Sequence, residues 1–295
     1  MTERLRVAAP AKVNLFLHVG NKRLDGYHDI ESLVAFTGCG DEIVLEADDG
    51  LSLSVRGPFA PRLPEGNDNL ALKAARSLAE RTGAAKGARI ILYKHLPIAS
   101  GIGGGSSDAA AVLRGLIRLW AIDAERLPLT EIAMSLGADV PACLVAKTCW
   151  MAGKGEHIRI LPPIPSTGIV LVNPLIAVST AQVFAALSNR RGVGMTPPRS
   201  FSDVHALVRF MSATTNDLEV SAVSIAPVIG DTLREMSELP EALIARMSGS
   251  GATCFALFAD HVQARAGASL LRTRHQGWWI KTTSFVVNRS AISEA

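Results

Sequence analysis

Between Pro97 and Leu113 the chain reads PIASGIGGGSSDAAAVL, a run that constrains the fold around it more than any other stretch. Gly101, Gly103, Gly104 and Gly105 crowd one junction, and Ser106 and Ser107 follow at once. A strand-like run, Ala88 to Lys94, leads in, and a helix expected from about Ser106 to Trp120 leads out. Without Cβ atoms, successive backbone N–H groups can curl toward one point. Placed at a helix N-terminus, such a nest presents unpaired donors and the positive end of the helix dipole to an anion. A di- or triphosphate is the natural guest. A flexible linker is the competing reading, but linkers are not usually followed directly by Ser-Ser-Asp and a tightly apolar helix. The commoner phosphate motifs do not fit. No lysine follows the glycines as a Walker loop requires. Ser106 stands where a dinucleotide fingerprint needs its third glycine, and the protein-kinase motifs are absent.

The rest of the chain narrows the class. A length of 295 residues favours about two domains, each able to bury a core. A hydrophobic fraction of 48% with 19% charged residues describes a compact protein. The net charge of +3 is mild and suits an anionic small molecule, while no Lys/Arg cluster points to nucleic acid. Lys12 and Asn14 break the only apolar run near the N-terminus, and no segment reaches the ~18 apolar residues of a membrane span. Cys39, Cys143, Cys149 and Cys254 lack Cys-x-x-Cys spacing and read as free thiols in a reducing cytoplasm. No histidine pattern suits a protein-bound zinc, so no metal ligand is assigned.

In chain order, Val13 to Val19 alternates as a strand, with Lys12 and Asn14 at its start beside Pro10. A lysine there is ordinarily an exposed strand end. Asp25-Gly26 marks a turn, after which Tyr27 and His28 are placed either to touch a ligand or to pack on the sheet edge. Ile43–Glu46 and Leu51–Arg56, joined by Ala-Asp-Asp-Gly, read as a β-hairpin. Asn69 to Arg81 is an amphipathic helix stopped by Gly83, and Leu129 to Leu136 a short one stopped by Gly137. Asp139 then falls in a loop, with Pro141 imposing extended geometry on Val140. A solvated turn residue is the plain reading of Asp139, but its apolar neighbours argue against that. Glycines from 151 to 155 and Pro162-Pro163-Ile164-Pro165 put a domain boundary hereabouts, giving units 1–155 and 156–295. A strand over 168–173 opens the second unit, and Ser179 caps a helix over 180–187. Thr180 and Phe184, one turn apart, share a face that is either core or site. A loop over 189–198, helices to about Leu239, a glycine turn at Met247–Gly251 entering a strand, a helix over 260–274 and a strand over 278–287 complete an α+β pattern.

Four separated elements then match one family in order. Lys12 with Asn14, the Pro97 loop, Gly-Ala-Asp-Val-Pro around Asp139, and the Gly249 turn resemble the signatures of the GHMP kinases, which phosphorylate small molecules. Gly-Gly-Gly-Ser-Ser and the Gly26-Tyr27-His28 run look most like the branch that acts on a cytidine-diphosphate-linked methylerythritol in non-mevalonate isoprenoid synthesis. Departures are small: Ile102 stands where many members have leucine, and Asp108 where some carry asparagine. The resemblance implies a two-domain α+β GHMP kinase fold: an N-terminal domain like ribosomal protein S5 domain 2, and a ferredoxin-like C-terminal domain. It implies transfer of the γ-phosphoryl of ATP, with Mg²⁺, to the acceptor's 2-hydroxyl. On the matching positions it makes Lys12 and Asp139 catalytic. It assigns ATP to Lys94, Pro97, Ile98, Ala99, Ser100, Gly101, Ile102, Gly103, Gly104, Gly105, Ser106 and Ser107. It assigns the cytidyl substrate to Asn14, Tyr27, His28, Thr180 and Phe184. No carboxylate pair for Mg²⁺ stands out, so Ser106 and Ser107 are the loop hydroxyls offered to phosphate or metal. A different GHMP enzyme, or a non-catalytic nucleotide-binding regulator, remains the alternative. The first would not need the cytidine contacts, and the second usually loses the lysine or the aspartate.

Overall fold

The computed structural model describes residues 4–63, 68–83, 87–286 and 292–294. Its first sheet is built on two long antiparallel strands, β1 (Arg4–Asn14) and β3 (His28–Asp48). Their register shifts between Pro10 and Lys12, where a proline cannot donate to the ladder. The upper part of β3 pairs with β2 (His18–Lys22) and with β6 (Cys149–Gly153), which forms a hairpin with β7 (His157–Ile160). The lower part pairs with β5 (Gly87–Tyr93). Leu15 to Leu17 leaves the sheet, so the alternation expected over Val13–Val19 is not one strand. That whole segment is buried, and Leu17 bridges to Asn216 in the second half. Period two is lost because both faces are covered.

The hairpin expected after Ile43 does not form. β4 (Leu51–Arg56) lies parallel to β5, and β5 stands between it and β3. Ile43 to Glu46 face Leu92 to Arg89 instead, and a parallel pair needs a crossover. Helix α1 (Leu70–Thr82) supplies it, capped by the Asn69 side chain on Ala71 N at 2.9 Å and ended by Gly83. Helix α2 (Gly104–Leu119) covers the same face, with Ala109 to Leu113 and Leu116 fully buried. It starts two residues earlier than expected. Packing of this apolar helix outweighs the roughly 1 kcal/mol that each glycine costs in a helix. Helices α3 (Leu129–Leu136) and α4 (Val140–Val145) complete the layer. Val140 is helical, not extended, because Pro141 sits in a first turn that does not use its missing N–H.

The second sheet has the order β11–β8–β10–β9, all antiparallel, from β8 (Gly168–Asn173), β9 (Ile244–Met247), β10 (Cys254–Phe258) and β11 (Trp279–Ser284). Between β8 and β9 run α5 (Thr180–Ala185), α6 (Val204–Ser212), α7 (Glu219–Ile225) and α8 (Val228–Ser237), while α9 (His261–Arg274) links β10 to β11. This is the split βαββαβ arrangement of a ferredoxin-like domain. Val287, the expected end of the last strand, lies outside the described residues. A short β12 (Ile292–Glu294) returns to β1. The sheets change between Ile160 and Gly168, so a boundary at 155/156 would cut the β6–β7 hairpin. A shared core joins the halves: Val13, Leu15, Phe16 and Leu33 pack with Ile169, Leu171, Leu207, Phe255 and Leu257.

Candidate active site

Lys12 sits just past the β1 irregularity. Its backbone N–H leaves the ladder and donates to the Ile102 carbonyl of the glycine loop at 3.0 Å. The residue is 4% exposed, and Nζ lies 3.0 Å from Asp139 Oδ1 and 2.6 Å from Asn14 Oδ1. Asp139 is the N-cap residue of α4 and keeps its carboxylate one-third exposed to solvent. Residues 127 positions apart in sequence thus meet as an ion pair, with one member buried and the other facing solvent. Asn14 was expected at the substrate. Instead it is 1% exposed, and its Nδ2 donates to Ser32 Oγ at 2.8 Å. Both ends of its amide are used inside the protein, so it orients Lys12.

The glycine loop wraps over this lysine. Gly103 has φ +64° and is the N-cap of α2, so Gly104 and Gly105 lie in the first helical turn. A Cβ on Gly103 would stand 2.6 Å from Lys12 Cγ, which makes the position glycine for the lysine's sake as well as for an anion's. At Gly101, φ is +74° and a Cβ would collide with the Ser248 carbonyl and Gly251. The loop is pressed against the second glycine turn. Of the expected nucleotide set, Pro97, Ser100, Ile102, Gly104 and Ser107 are buried; Ile98, Gly101, Gly103 and Ser106 are half-buried; Ala99 and Gly105 are exposed. The Ser107 hydroxyl donates to the Pro10 carbonyl at 2.8 Å, and Ser100 Oγ to Pro97 at 2.7 Å. Ser106 is therefore the loop hydroxyl best placed for a ligand.

Lys94 departs from expectation. It is 2% exposed beneath the loop, and its Nζ lies 2.6 Å from both Asp41 Oδ2 and Asp108 Oδ2. Asp41 Oδ1 also accepts from the backbone of His95 and Leu96, at 2.5 and 2.8 Å. The ammonium is committed to a buried ion triad that fixes the strand end against α2. Burial pushes Asp108 up to about 7 against the pull of Lys94; burial also works to lower Lys94, but the carboxylates of Asp108 and Asp41 hold it above its usual value. Asp108 Oδ1 has no hydrogen-bond partner.

At the acceptor end, His28 from the first half stacks on Phe184 from the second, with centroids 5.4 Å apart and planes 26° apart. Burial, then Lys22 and Arg190, hold the His28 imidazole below its ordinary value. Tyr27 is 54% exposed on the preceding turn, with Lys154 Nζ 5.2 Å from its ring centroid. Thr180 Oγ1 pairs with Ser250 Oγ at 2.8 Å, tying α5 to the second glycine turn.

Several residues that hold this site were given no role by the sequence reading, although Ser248 lies within its Met247–Gly251 turn. Ser248 Oγ bridges the Asn14 N–H at 3.1 Å and the Gly101 carbonyl at 3.1 Å, clasping the lysine segment to the glycine loop. Asn216 Nδ2 donates to the carbonyls of Met247 and Gly249 at 2.9 and 2.8 Å. The buried Arg246 donates to the carbonyls of Leu15, Met211 and Thr214. A polar Thr-Thr-Asn-Asp run at 214–217, inside a stretch read as helical, was the one local signal of this brace.

A glycine nest opening a helix, over a lysine–aspartate pair where two α+β halves meet, defines a small-molecule kinase as a class. Comparison with known proteins narrows it. Residues 69–147 match the GHMP kinases N terminal domain and 197–274 the GHMP kinases C terminal domain. The chain is 46% identical, over 98% of its length and 95% of the relative's, to a 4-diphosphocytidyl-2-C-methyl-D-erythritol kinase of Rhodospirillum rubrum. It is 48% identical to the enzyme of that name from Paramagnetospirillum magneticum, covering 93% of this chain and 96% of the relative. Among solved structures, a 4-(cytidine 5'-diphospho)-2C-methyl-D-erythritol kinase superposes with a TM-score of 0.76 at 33% identity, over 94% of this chain and 98% of the other. The chain belongs to the GHMP kinase family, within the branch that these relatives represent, and ATP is the phosphoryl donor that such a kinase implies.

Proposed function

We propose that the protein transfers the γ-phosphoryl group of ATP to the 2-hydroxyl of 4-diphosphocytidyl-2-C-methyl-D-erythritol. Asp139 accepts the proton of the attacking hydroxyl, since its carboxylate is the one open to the cleft beside Lys12. Lys12 offers three N–H donors; Asn14 and Asp139 take two directions, and the third serves the transferring phosphoryl group. Backbone donors of Gly103 to Ser106 cradle the nucleotide phosphates at the start of α2. Tyr27, His28, Thr180 and Phe184 take the cytidyl end.

Mg²⁺ fits this site as a nucleotide-borne ion, not as one caged by protein. Among the described residues no three acidic, histidine or cysteine side chains gather to hold a metal. Mg²⁺ usually keeps waters and phosphate oxygens and needs only one or two protein oxygens. The Ser106 hydroxyl would hold it, and bound there it would neutralise phosphate charge. Among the described residues no helix is long and apolar enough to cross a membrane. The cysteines are scattered without Cys-x-x-Cys spacing, which favours work in the reducing cytoplasm.

The observation that carries the acceptor assignment is the His28–Phe184 stack across the cleft, an aromatic face that a polyol or amino-acid acceptor would leave unused. A coupled ADP-release assay should give turnover with the cytidyl substrate and little with homoserine, galactose or mevalonate. Phe184→Ala should raise KM for the cytidyl substrate by the roughly 1–3 kcal/mol of a base stack, with KM for ATP unmoved. Equal turnover on homoserine, or a parallel rise in both KM values, overturns the assignment.

A further inference from the structure

We propose that Arg114 is a positioning residue for phosphoryl transfer, one that sets the Lys12 strand and the Asp139 helix against each other. The inference rests on the roles given above to Lys12 and Asp139. Arg114 lies on α2, about three helical turns beyond the phosphate loop. Its guanidinium forks between two elements. Nη1 donates to the Cys143 carbonyl at 2.7 Å and to Leu144 at 3.4 Å, while Nη2 donates to the Ala8 carbonyl at 2.8 Å.

These carbonyls sit where they bear on the chemistry. Cys143 and Leu144 close the last turn of α4, whose carbonyls have no acceptor role within their own helix. Asp139 is the N-cap at the other end of that short helix, four and five residues before these carbonyls, about 6–7.5 Å along the axis. Ala8 is on β1, ahead of the register shift that turns Lys12 into the cleft. One rigid fork therefore ties the last turn of α4 to β1 four residues ahead of Lys12, and so links the two elements that carry the 3.0 Å Lys12–Asp139 pair. A cation at the α4 C-terminus also suits the helix dipole.

The arrangement is not what stability alone would select. The guanidinium is buried enough to bring Arg114 down to about 10, and its Nε has no partner. Buried charges of this kind are often matched or bettered by apolar side chains of similar volume. What an apolar side chain cannot do is hold two backbone segments at a set spacing. That matters here, because a misplacement of about 1 Å at reacting groups can cost about 10²-fold in rate.

The test compares Arg114→Met and Arg114→Lys in wild-type and Asp139→Asn backgrounds, with thermal melting and steady-state kinetics for each. Arg114→Met should lower kcat by about 10- to 10²-fold, while KM for ATP and for the acceptor stays within about three-fold. Arg114→Lys should recover part of that loss, since an ammonium can still reach one carbonyl. In the Asp139→Asn background, Arg114→Met should cost less than about three-fold more, because its effect passes through Asp139. A lower melting temperature with unchanged kcat would make Arg114 merely structural. Equal losses in both backgrounds would place its action elsewhere. If Arg114→Met does not fold, Arg114→Lys makes the same comparison: a kcat loss confined to the wild-type background supports the inference, and an equal loss in the Asp139→Asn background overturns it. A fully active Asp139→Asn overturns the functional reading beneath it, whereas an inactive Asp139→Asn with a fully active Arg114→Met overturns this inference alone.

Discussion

Lys12 and Asp139 show how much a single contact decides. The lysine is buried and oriented by Asn14, so its charge is delivered to one point instead of sweeping through solvent. The aspartate is held on one oxygen by Lys12 while the group stays open to the cleft. General-base assistance is worth about 10²–10⁴-fold, so Asp139→Asn should lower kcat by that order with both substrates still bound. Lys12→Met should do similar damage. Because the two act in one step, the double variant should be little worse than either alone, whereas fully multiplicative losses in kcat would show independent roles. Gly103 belongs to the same unit, since a Cβ there would displace the Lys12 chain itself. Gly103→Val would therefore damage the chemistry as well as the nucleotide cradle.

At the scale of elements, the start of α2 joins two opposed demands. Its N-terminus presents free N–H donors, yet Asp108 in its second turn brings a buried carboxylate beneath them, balanced by Lys94 and shared with Asp41. The sign of the consequence follows from Asp108 being pushed up to about 7, above its usual value near 3.9. Between those values the native chain holds a proton that the unfolded chain has released, so this group's contribution to stability falls as pH rises from about 4 to 7. Melting temperatures of wild type and Asp108→Asn, compared across that window, should show the wild type losing ground to the variant as pH rises. Parallel curves would mean that Lys94 and Asp41 keep Asp108 ionised throughout. β4 makes a related point about elements: its alternating burial is that of an edge strand with one covered face, whichever neighbour it has.

At the scale of the molecule, the two sheets are not separate modules joined by a linker. Leu15, Phe16 and Leu33 of the first half pack with Ile169, Leu171 and Phe255 of the second, and Arg246 reaches back to the Leu15 carbonyl. Asp217 accepts from the Val19 N–H at 2.9 Å, adding a further bond across the halves. Calorimetry should therefore show one cooperative unfolding transition for the whole chain, with calorimetric and van't Hoff enthalpies in agreement. Two resolved transitions would show that the shared core does not couple the halves.

What the sequence by itself determined is what local physics encodes. The glycine nest, the caps at Asn69, Ser179 and Asp260, and the stops at Gly83 and Gly137 are written within a few residues of where they act. The family signatures brought Lys12, Asp139, the Pro97 loop and the Gly249 turn to notice as points on a line, and their order matched a known architecture. Tertiary structure alone decided which of these points touch and what the others are for. Nothing local in Ile43–Glu46 announces that β5, more than forty residues on, will take the edge that a hairpin with β4 would have used. Lys94 reads as a cation beside a phosphate loop until Asp41 and Asp108 arrive to claim it, and Asn14 reads as a ligand until Ser32 does. Hydrogen-bond partners of buried polar groups come from wherever the chain happens to pass, and burial makes satisfying them obligatory. That requirement acts through space, so only the folded chain could say which side chains face a substrate and which hold one another in place.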